Sequence, residues 1–68
     1  MDVKSKILHS LEDHPKGLTI SELAKEIHVS RITVNSHLQF LLGCGEIIQR
    51  KVGIAKLHYL PKYYQVKE

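Results

Sequence analysis

Apolar residues recur through the first half of the chain at the three- and four-residue spacing of amphipathic helices. In the first such segment, one helical face carries Val3, Ile7, Leu8 and Leu11. Asp2 is placed to cap the N-terminus of this helix. The run His14-Pro15-Lys16-Gly17 ends it, because a residue before proline disfavours helical dihedrals and glycine tolerates the turn.

A second helix is predicted over about 20–27. Thr19 and Glu22 have the spacing of a capping box, and Leu18 and Leu23 have the spacing of a hydrophobic staple. The apolar face of this helix consists of Ile20, Leu23, Ala24 and Ile27.

A third helix is predicted over roughly 31–43, after the break His28-Val29-Ser30, with Ser30 as its N-cap. Gly43 and Gly45 are expected to end it. Its buried stripe is predicted to be Val34, Leu38, Leu41 and Leu42. Two helices joined by a three-residue turn make a helix-turn-helix.

Two β segments are predicted beyond the third helix, from Glu46 to Lys51 and from Lys56 to Leu60. The residues Val52-Gly53-Ile54-Ala55 between them suit a four-residue hairpin connection. Ile48 and Tyr59 are expected to face the helices. Three helices followed by a hairpin is the element order of a small α+β winged helix.

The length of 68 residues corresponds to one domain, with 61–68 as a short C-terminal tail. Cys44 is the single cysteine, which indicates a reducing compartment. No apolar run approaches the roughly 18 residues of a membrane span, and the N-terminus lacks a secretory signal. We therefore expect a soluble cytoplasmic protein with no membrane contact, either complete or the N-terminal domain of a longer chain.

Charge is unevenly distributed along the sequence. Residues 1–46 contain five Lys or Arg against six Asp or Glu, whereas residues 47–68 contain five against one. There is no acidic residue from Ile27 to Gly45. A basic segment beside an acid-free helix is typical of a surface that binds a polyanion, with an ordinary solvated face as the alternative.

Residues 18–61 resemble the winged helix-turn-helix DNA-binding domains of bacterial and archaeal transcriptional regulators. The resemblance rests on the segments ISELAKEI at 20–27, VSR at 29–31, VNSHL at 34–38 with Leu41, and GEII at 45–48. Arsenic-repressor-type, MarR-type and biotin-repressor proteins share this core. The chain lacks the paired cysteines of metal-sensing arsenic repressors and the long flanking helices of MarR-type regulators. Winged helices that bind Z-form nucleic acid have a tyrosine four residues after the position of Asn35, but this chain has Gln39 there and no tryptophan.

The resemblance implies that the third helix enters the major groove of DNA and that the wing lies along the phosphate backbone. Asn35 and Gln39 can each pair with adenine, and Ile32 can touch a thymine methyl group. The N-terminus of the third helix favours a phosphate, and His37 could donate to one. The predicted DNA-binding residues are Ser30, Arg31, Ile32, Thr33, Asn35, Ser36, His37, Gln39, Arg50, Lys51 and Lys56.

Partners other than DNA are suggested by aromatic residues. Phe40 lies off the buried stripe, so it either marks a partner surface or is covered by the C-terminal tail. The pair Tyr63-Tyr64 in the tail can either pack back on the domain or extend a dimer contact. We expect a homodimer on double-stranded DNA. The competing hypothesis is a winged helix that binds protein and has lost nucleic-acid binding, with RNA binding as a weaker third possibility.

Metal, cofactor and catalytic functions are not predicted. None of the five histidines has the H-x-x-x-H spacing of a helical metal site, and a lone cysteine supplies no second thiolate. His9, His14, His28 and His58 are expected at the surface or half-buried, and Cys44 as a small half-buried hydrophobe. No nucleophile–base set and no phosphate-cradling glycine loop occurs, so we expect a protein that is not an enzyme.

Overall fold

The computed structural model describes residues 2–63, which form three helices and a β-hairpin. The helices are α1 (Val3–Asp13), α2 (Ile20–Ile27) and α3 (Arg31–Cys44). The strands are β1 (Ile48–Val52) and β2 (Ala55–Tyr59), and a 3₁₀ turn at Pro61–Tyr63 follows them. This is the predicted small α+β winged helix.

Each helix begins at the polar residue that the sequence indicates. The Asp2 side chain accepts a hydrogen bond from the Ser5 N–H, and Ser30 Oγ accepts one from the Thr33 N–H. At α2, Thr19 and Glu22 form both bonds of the capping box. A cap of this kind stabilises a helix by about 1 kcal/mol, which matters in a chain with so small a core.

The core lies between the three helices and the base of the hairpin. Its buried apolar side chains come from the three helices, from β2 and from the loops: Ile7, Leu11, Leu18, Leu23, Ile27, Val34, Leu38, Leu41, Ile47 and Tyr59. Each fully buried aliphatic side chain contributes about 1.5–3 kcal/mol relative to an exposed one. Leu42, predicted to be in the stripe, is only half-buried at its edge.

The end of α3 differs from the sequence prediction and changes which isoleucine is buried. Gly43 stays helical, and Gly45, with φ of 78°, makes the left-handed C-terminal turn. The N–H groups of Gly45 and Glu46 bond back to the carbonyls of Leu42 and Leu41, so the chain reverses over the helix. Ile47 therefore enters the core, and Ile48, the predicted core residue, is only half-buried.

The hairpin turn is shorter than predicted. Val52 pairs with Ala55, which leaves Gly53 and Ile54 as a two-residue turn in place of a four-residue connection. The register could not be predicted from the sequence, because it depends on which backbone groups pair. Gly53, with φ of 62°, permits the tighter turn.

Two further predictions about single side chains are wrong. Cys44 is exposed, one helical turn after Phe40, which is itself largely exposed. His58 is buried, only 4% exposed, because its strand packs against the segment before α2.

Candidate nucleic-acid interface

Apart from Arg31 at its first position, the solvent-facing side of α3 carries no Lys, Arg, Asp or Glu. Ile32, Asn35, Ser36 and Gln39 are exposed there, opposite the buried stripe of the same helix. Within residues 2–63, the side-chain amides of Asn35 and Gln39 form no hydrogen bond. Their donors and acceptors are therefore available to the edge of a base.

An open groove joins this side of α3 to the hairpin. Its walls consist of Thr19, Ile20 and Ser21 at the start of α2, Arg31, Ile32, Asn35 and Gln39 from α3, and Gln49, Ile54, Ala55, Lys56 and His58 from the hairpin. No carboxylate belonging to the described part of the chain lines the groove. Its two cations, Arg31 and Lys56, lie on opposite walls, so an anionic ligand can contact both.

The strand register divides the basic residues of the hairpin between its two faces. Lys51 pairs with Lys56 and Gln49 with His58, so these four share the face that lines the groove. Arg50 pairs with Leu57, and its side chain belongs to the opposite face. The predicted basic wing is therefore present, with two of its three cations on the groove side.

Most acidic side chains of residues 2–63 cap helices or form ion pairs outside the groove. Of the six Asp and Glu residues within 2–63, Asp2 and Glu22 cap helices, and three others pair with basic partners. Those ion pairs are Glu12 with Lys62, Glu26 with His14, and Glu46 with Lys4, at 2.5, 3.3 and 3.9 Å. In contrast, Arg31, Arg50, Lys51 and Lys56 form no ion pair with any residue from 2 to 63.

His58 fixes the base of the hairpin beside the groove. Its Nδ1 lies 3.2 Å from the Leu18 carbonyl oxygen, and its Nε2 lies 3.1 Å from Gln49 Nε2. A carbonyl only accepts, so Nδ1 carries the proton and Nε2 accepts from the Gln49 amide. Burial lowers the pKa of the His58 imidazole, and the nearby Lys56 charge adds to this effect. The neutral ring is thus the form that the fold favours.

The predicted site residues fall into two groups. The groove contains Arg31, Ile32, Asn35, Gln39 and Lys56, with Lys51 on the same hairpin face. Outside it lie Ser36, His37 and Arg50, and also Ser30 and Thr33, whose hydroxyls bond to each other at 3.1 Å in the cap of α3. The structure thus brings together about half of the predicted set.

Sequence reasoning missed several residues of the groove. Thr19 and Ser21 could have been included, since the predicted N-terminus of α2 is a site where backbone N–H groups attract phosphate. Gln49, Ile54 and His58 had no sequence signal, because their place depends on the hairpin register.

A comparison with protein families matches residues 3–58 to a family described as an HTH (helix-turn-helix) domain. The chain belongs to this HTH domain family. The matched segment covers all three helices and nearly all of the hairpin. No curated protein and no solved structure shows a significant match to the chain.

HTH domains of this family are DNA-binding and non-enzymatic in kind. The groove of this HTH domain is compatible with DNA in its polarity. It has neutral hydrogen-bonding groups on α3 and cations around them. No helix within residues 2–63 has the length and apolar character needed to cross a membrane. The described residues also contain no group of His, Cys, Asp and Glu that could hold a metal ion.

Proposed function

We propose that this HTH domain binds double-stranded DNA in a sequence-specific manner as part of a transcriptional regulator. In this proposal α3 lies in the major groove, and the basic residues of the hairpin contact phosphates. One observation carries it: the hydrogen-bonding side of α3 and the Lys51/Lys56 face of the hairpin border one groove, which no carboxylate of residues 2–63 lines. Neutral amides suit base edges, whereas lysines suit a backbone that has the same charge in every sequence.

Selection of bound duplexes from a random pool tests the proposal. Enrichment of a sequence motif is expected, followed by binding whose affinity decreases steeply with salt. Arg31, the hairpin cations and the tail suggest roughly three to five neutralised phosphates, and hence a log–log slope of about −3 to −4. Absence of duplex binding at low salt would refute the proposal.

We further propose that the domain acts as a homodimer, so that the enriched motif is a palindrome. A single module of this size buries only about 600–1,000 Å² on DNA, which is marginal for specific binding. Phe40 supports the dimer, because its ring is 57% exposed on α3, away from the groove. The exposed Phe40 ring also favours a second candidate function, that of a protein-interaction module. Such a module would bind a protein partner and would not bind duplex DNA.

A further inference from the structure

Gln49 and His58 form a polar pair at the base of the hairpin, on the face that lines the groove. They are cross-strand partners, and both belong to the walls of the groove. Gln49 is exposed, whereas His58 is only 4% exposed. The Gln49 Nε2 atom lies 3.1 Å from Nε2 of the imidazole. The pair thus joins a buried ring to a side chain that a ligand in the groove can contact.

The hydrogen bond to Leu18 fixes the tautomer of His58. Nδ1 of the ring lies 3.2 Å from the Leu18 carbonyl oxygen, so Nδ1 carries the proton of the neutral ring. The two backbone hydrogen bonds between these residues already join their segments. What the ring adds to them is an unprotonated Nε2 beside Gln49.

This tautomer determines how the Gln49 amide is turned. An unprotonated ring nitrogen only accepts, so the NH₂ group of the amide faces the ring. The carbonyl oxygen Oε1 is then turned away from the ring, and it forms no hydrogen bond within residues 2–63. A free glutamine side chain can rotate its amide and offer either a donor or an acceptor. Here the ring holds one orientation, with the acceptor outward.

DNA offers few partners to an outward acceptor. Phosphate oxygens only accept, so they do not pair with a carbonyl oxygen. The donors in the major groove are the amino groups of adenine and cytosine. The Gln49 oxygen therefore suits a base, whereas the ammonium groups of Lys51 and Lys56, on the same face of the hairpin, suit phosphates.

We infer that His58 is a positioning residue for base reading: it holds the Gln49 carbonyl oxygen toward the DNA, where this oxygen accepts a hydrogen bond from the amino group of an adenine or a cytosine in the major groove. This inference rests on the proposed function. The major groove is the site because Gln49 borders the same groove of the protein as Asn35 and Gln39 of α3. The hairpin thereby contributes a base contact in addition to its phosphate contacts.

The first test needs no DNA. Nitrogen NMR of the full wild-type chain, at neutral pH or above, identifies which ring nitrogen of His58 carries the proton. We expect the proton on Nδ1, with one hydrogen of the Gln49 amide bonded to Nε2. A proton on Nε2 would overturn the inference, because the Gln49 amide would then turn its oxygen to the ring.

The second test removes single amino groups from the selected duplex. Each adenine is replaced by purine and each cytosine by pyrimidin-2-one, which lack the amino group. For wild type we expect one position where this loss weakens binding roughly three- to tenfold, the range of one hydrogen bond, and where Gln49→Ala reduces the ratio to about twofold or less. If the base is adenine, 7-deazaadenine should be tolerated there, since a single acceptor does not use N7. The paired contact of Asn35 or Gln39 with adenine uses both atoms.

His58→Asn separates positioning from a purely structural role. Asparagine can still donate to the Leu18 carbonyl, but it has no atom at the place of Nε2, so the Gln49 amide is released. The ratio at the identified position should fall to about twofold or less, although Gln49 is present. A purely structural His58 would instead weaken all duplexes by one factor and leave the ratio unchanged. His9→Asn, at an exposed position of α1, is the matched control and should retain the ratio.

Three results would overturn the inference while leaving the proposed function intact. In one, no amino group of the duplex is coupled to Gln49. In another, Gln49→Ala weakens every duplex equally, which means that the amide contacts a phosphate. In the third, the ratio survives in a folded His58→Asn. If that variant does not fold, the tautomer of His58 and the coupling to Gln49 still decide. If wild type enriches no duplex, the proposed function fails, and the base contact fails with it.

Discussion

Leu18 and His58 are separated by 40 residues in the chain and are joined by three hydrogen bonds. Their backbones exchange N–H···O bonds of 3.0 and 2.8 Å, and the His58 ring nitrogen Nδ1 lies 3.2 Å from the Leu18 carbonyl oxygen. These bonds attach the second strand of the hairpin to the segment between α1 and α2. The orientation of the wing relative to the helix-turn-helix therefore depends on a contact that is remote from the groove residues themselves.

The pH dependence of stability should reveal the His58 contact. Because the pKa of this imidazole is lowered from 6.5 in the folded protein, the unfolded chain binds the proton more tightly. Above pH 6.5, His58 should therefore leave the free energy of unfolding independent of pH. As the pH falls from 6.5 through the lowered pKa, the free energy of unfolding should decrease by at most about 1.4 kcal/mol per pH unit. Urea unfolding from about pH 8 to about pH 5 measures it.

The matched variants are His58→Gln and His9→Gln. Glutamine at 58 can still donate to Leu18 but does not titrate, so the decrease in that range should become smaller. Position 9 is exposed on α1, and its substitution controls for loss of an imidazole elsewhere. If His58→Gln had the same pH profile as wild type, His58 would not be the group that causes the decrease.

Gly17 should not tolerate alanine. Its φ is 98°, and an added Cβ would lie 3.1 Å from Tyr59 Cδ1 and 3.3 Å from the His58 carbonyl oxygen. We expect Gly17→Ala to lower the free energy of unfolding by roughly 2 kcal/mol or more, measured by urea denaturation. Gly43→Ala is the control, because an added Cβ there meets no atom of residues 2–63 within 4 Å beyond the local helix backbone. It should stabilise α3 by up to about 1 kcal/mol. Equal effects of the two substitutions would be incompatible with this packing.

Specificity and affinity should separate between α3 and the hairpin. Gln39→Ala removes a neutral amide that we propose reads a base, so it should cost about 1–3 kcal/mol on the selected site and little on random duplex. Lys51→Ala removes a cation that we propose contacts a DNA phosphate, so it should weaken both duplexes by similar factors and reduce the salt slope by about 1. Titrations of both duplexes at two salt concentrations measure this.

Lys16→Ala is the control for charge, since Lys16 is exposed in the turn after α1 and does not line the groove. It should change the salt slope less than Lys51→Ala does. If Lys51→Ala altered base preference while Gln39→Ala lowered all affinities uniformly, the hairpin would be the reading element and our placement of α3 would be wrong.

Association of two copies should depend on Phe40. Its ring is exposed, with the Lys4 ammonium 5.3 Å from the ring centroid, and Lys4 in turn lies beside Glu46. We expect sedimentation to show a dimer on the selected duplex, and Phe40→Ser to weaken that dimer. Ile32→Ser removes an even more exposed apolar group, one that lies inside the groove, and should leave dimerisation unchanged. A wild-type monomer both free and on DNA would disprove the dimer.

Tyr63 is the tail tyrosine that lies within the described residues. The Tyr63 hydroxyl lies 3.3 Å from the Glu12 backbone oxygen, and Lys62 pairs with the Glu12 carboxylate. This pairing lowers the pKa of Glu12. Of the two predicted roles for the tyrosines, Tyr63 therefore packs back on α1. Tyr64 lies outside the described residues, and its role stays a prediction.

The elements that could be predicted from the amino-acid sequence are those with local causes. Asp2, Thr19 with Glu22, and Ser30 bond to backbone groups three residues away, so the starts of all three helices could be predicted. Helical spacing likewise predicted the buried side of α3 and, by exclusion, the neutral face with Asn35 and Gln39.

Features that depend on pairing between distant segments could not be predicted and are seen only in the folded chain. The bonds between Leu18 and His58 bury a histidine that looks ordinary in sequence, and the reversal after Gly45 buries Ile47 in place of Ile48. The hairpin register assigns Lys51 and Lys56 to the groove and Arg50 to the opposite face, and it exposes Ile54 at the tip. Side chains alternate along a strand, so a shift of one residue would reverse each of these assignments, and no local signal specifies that shift.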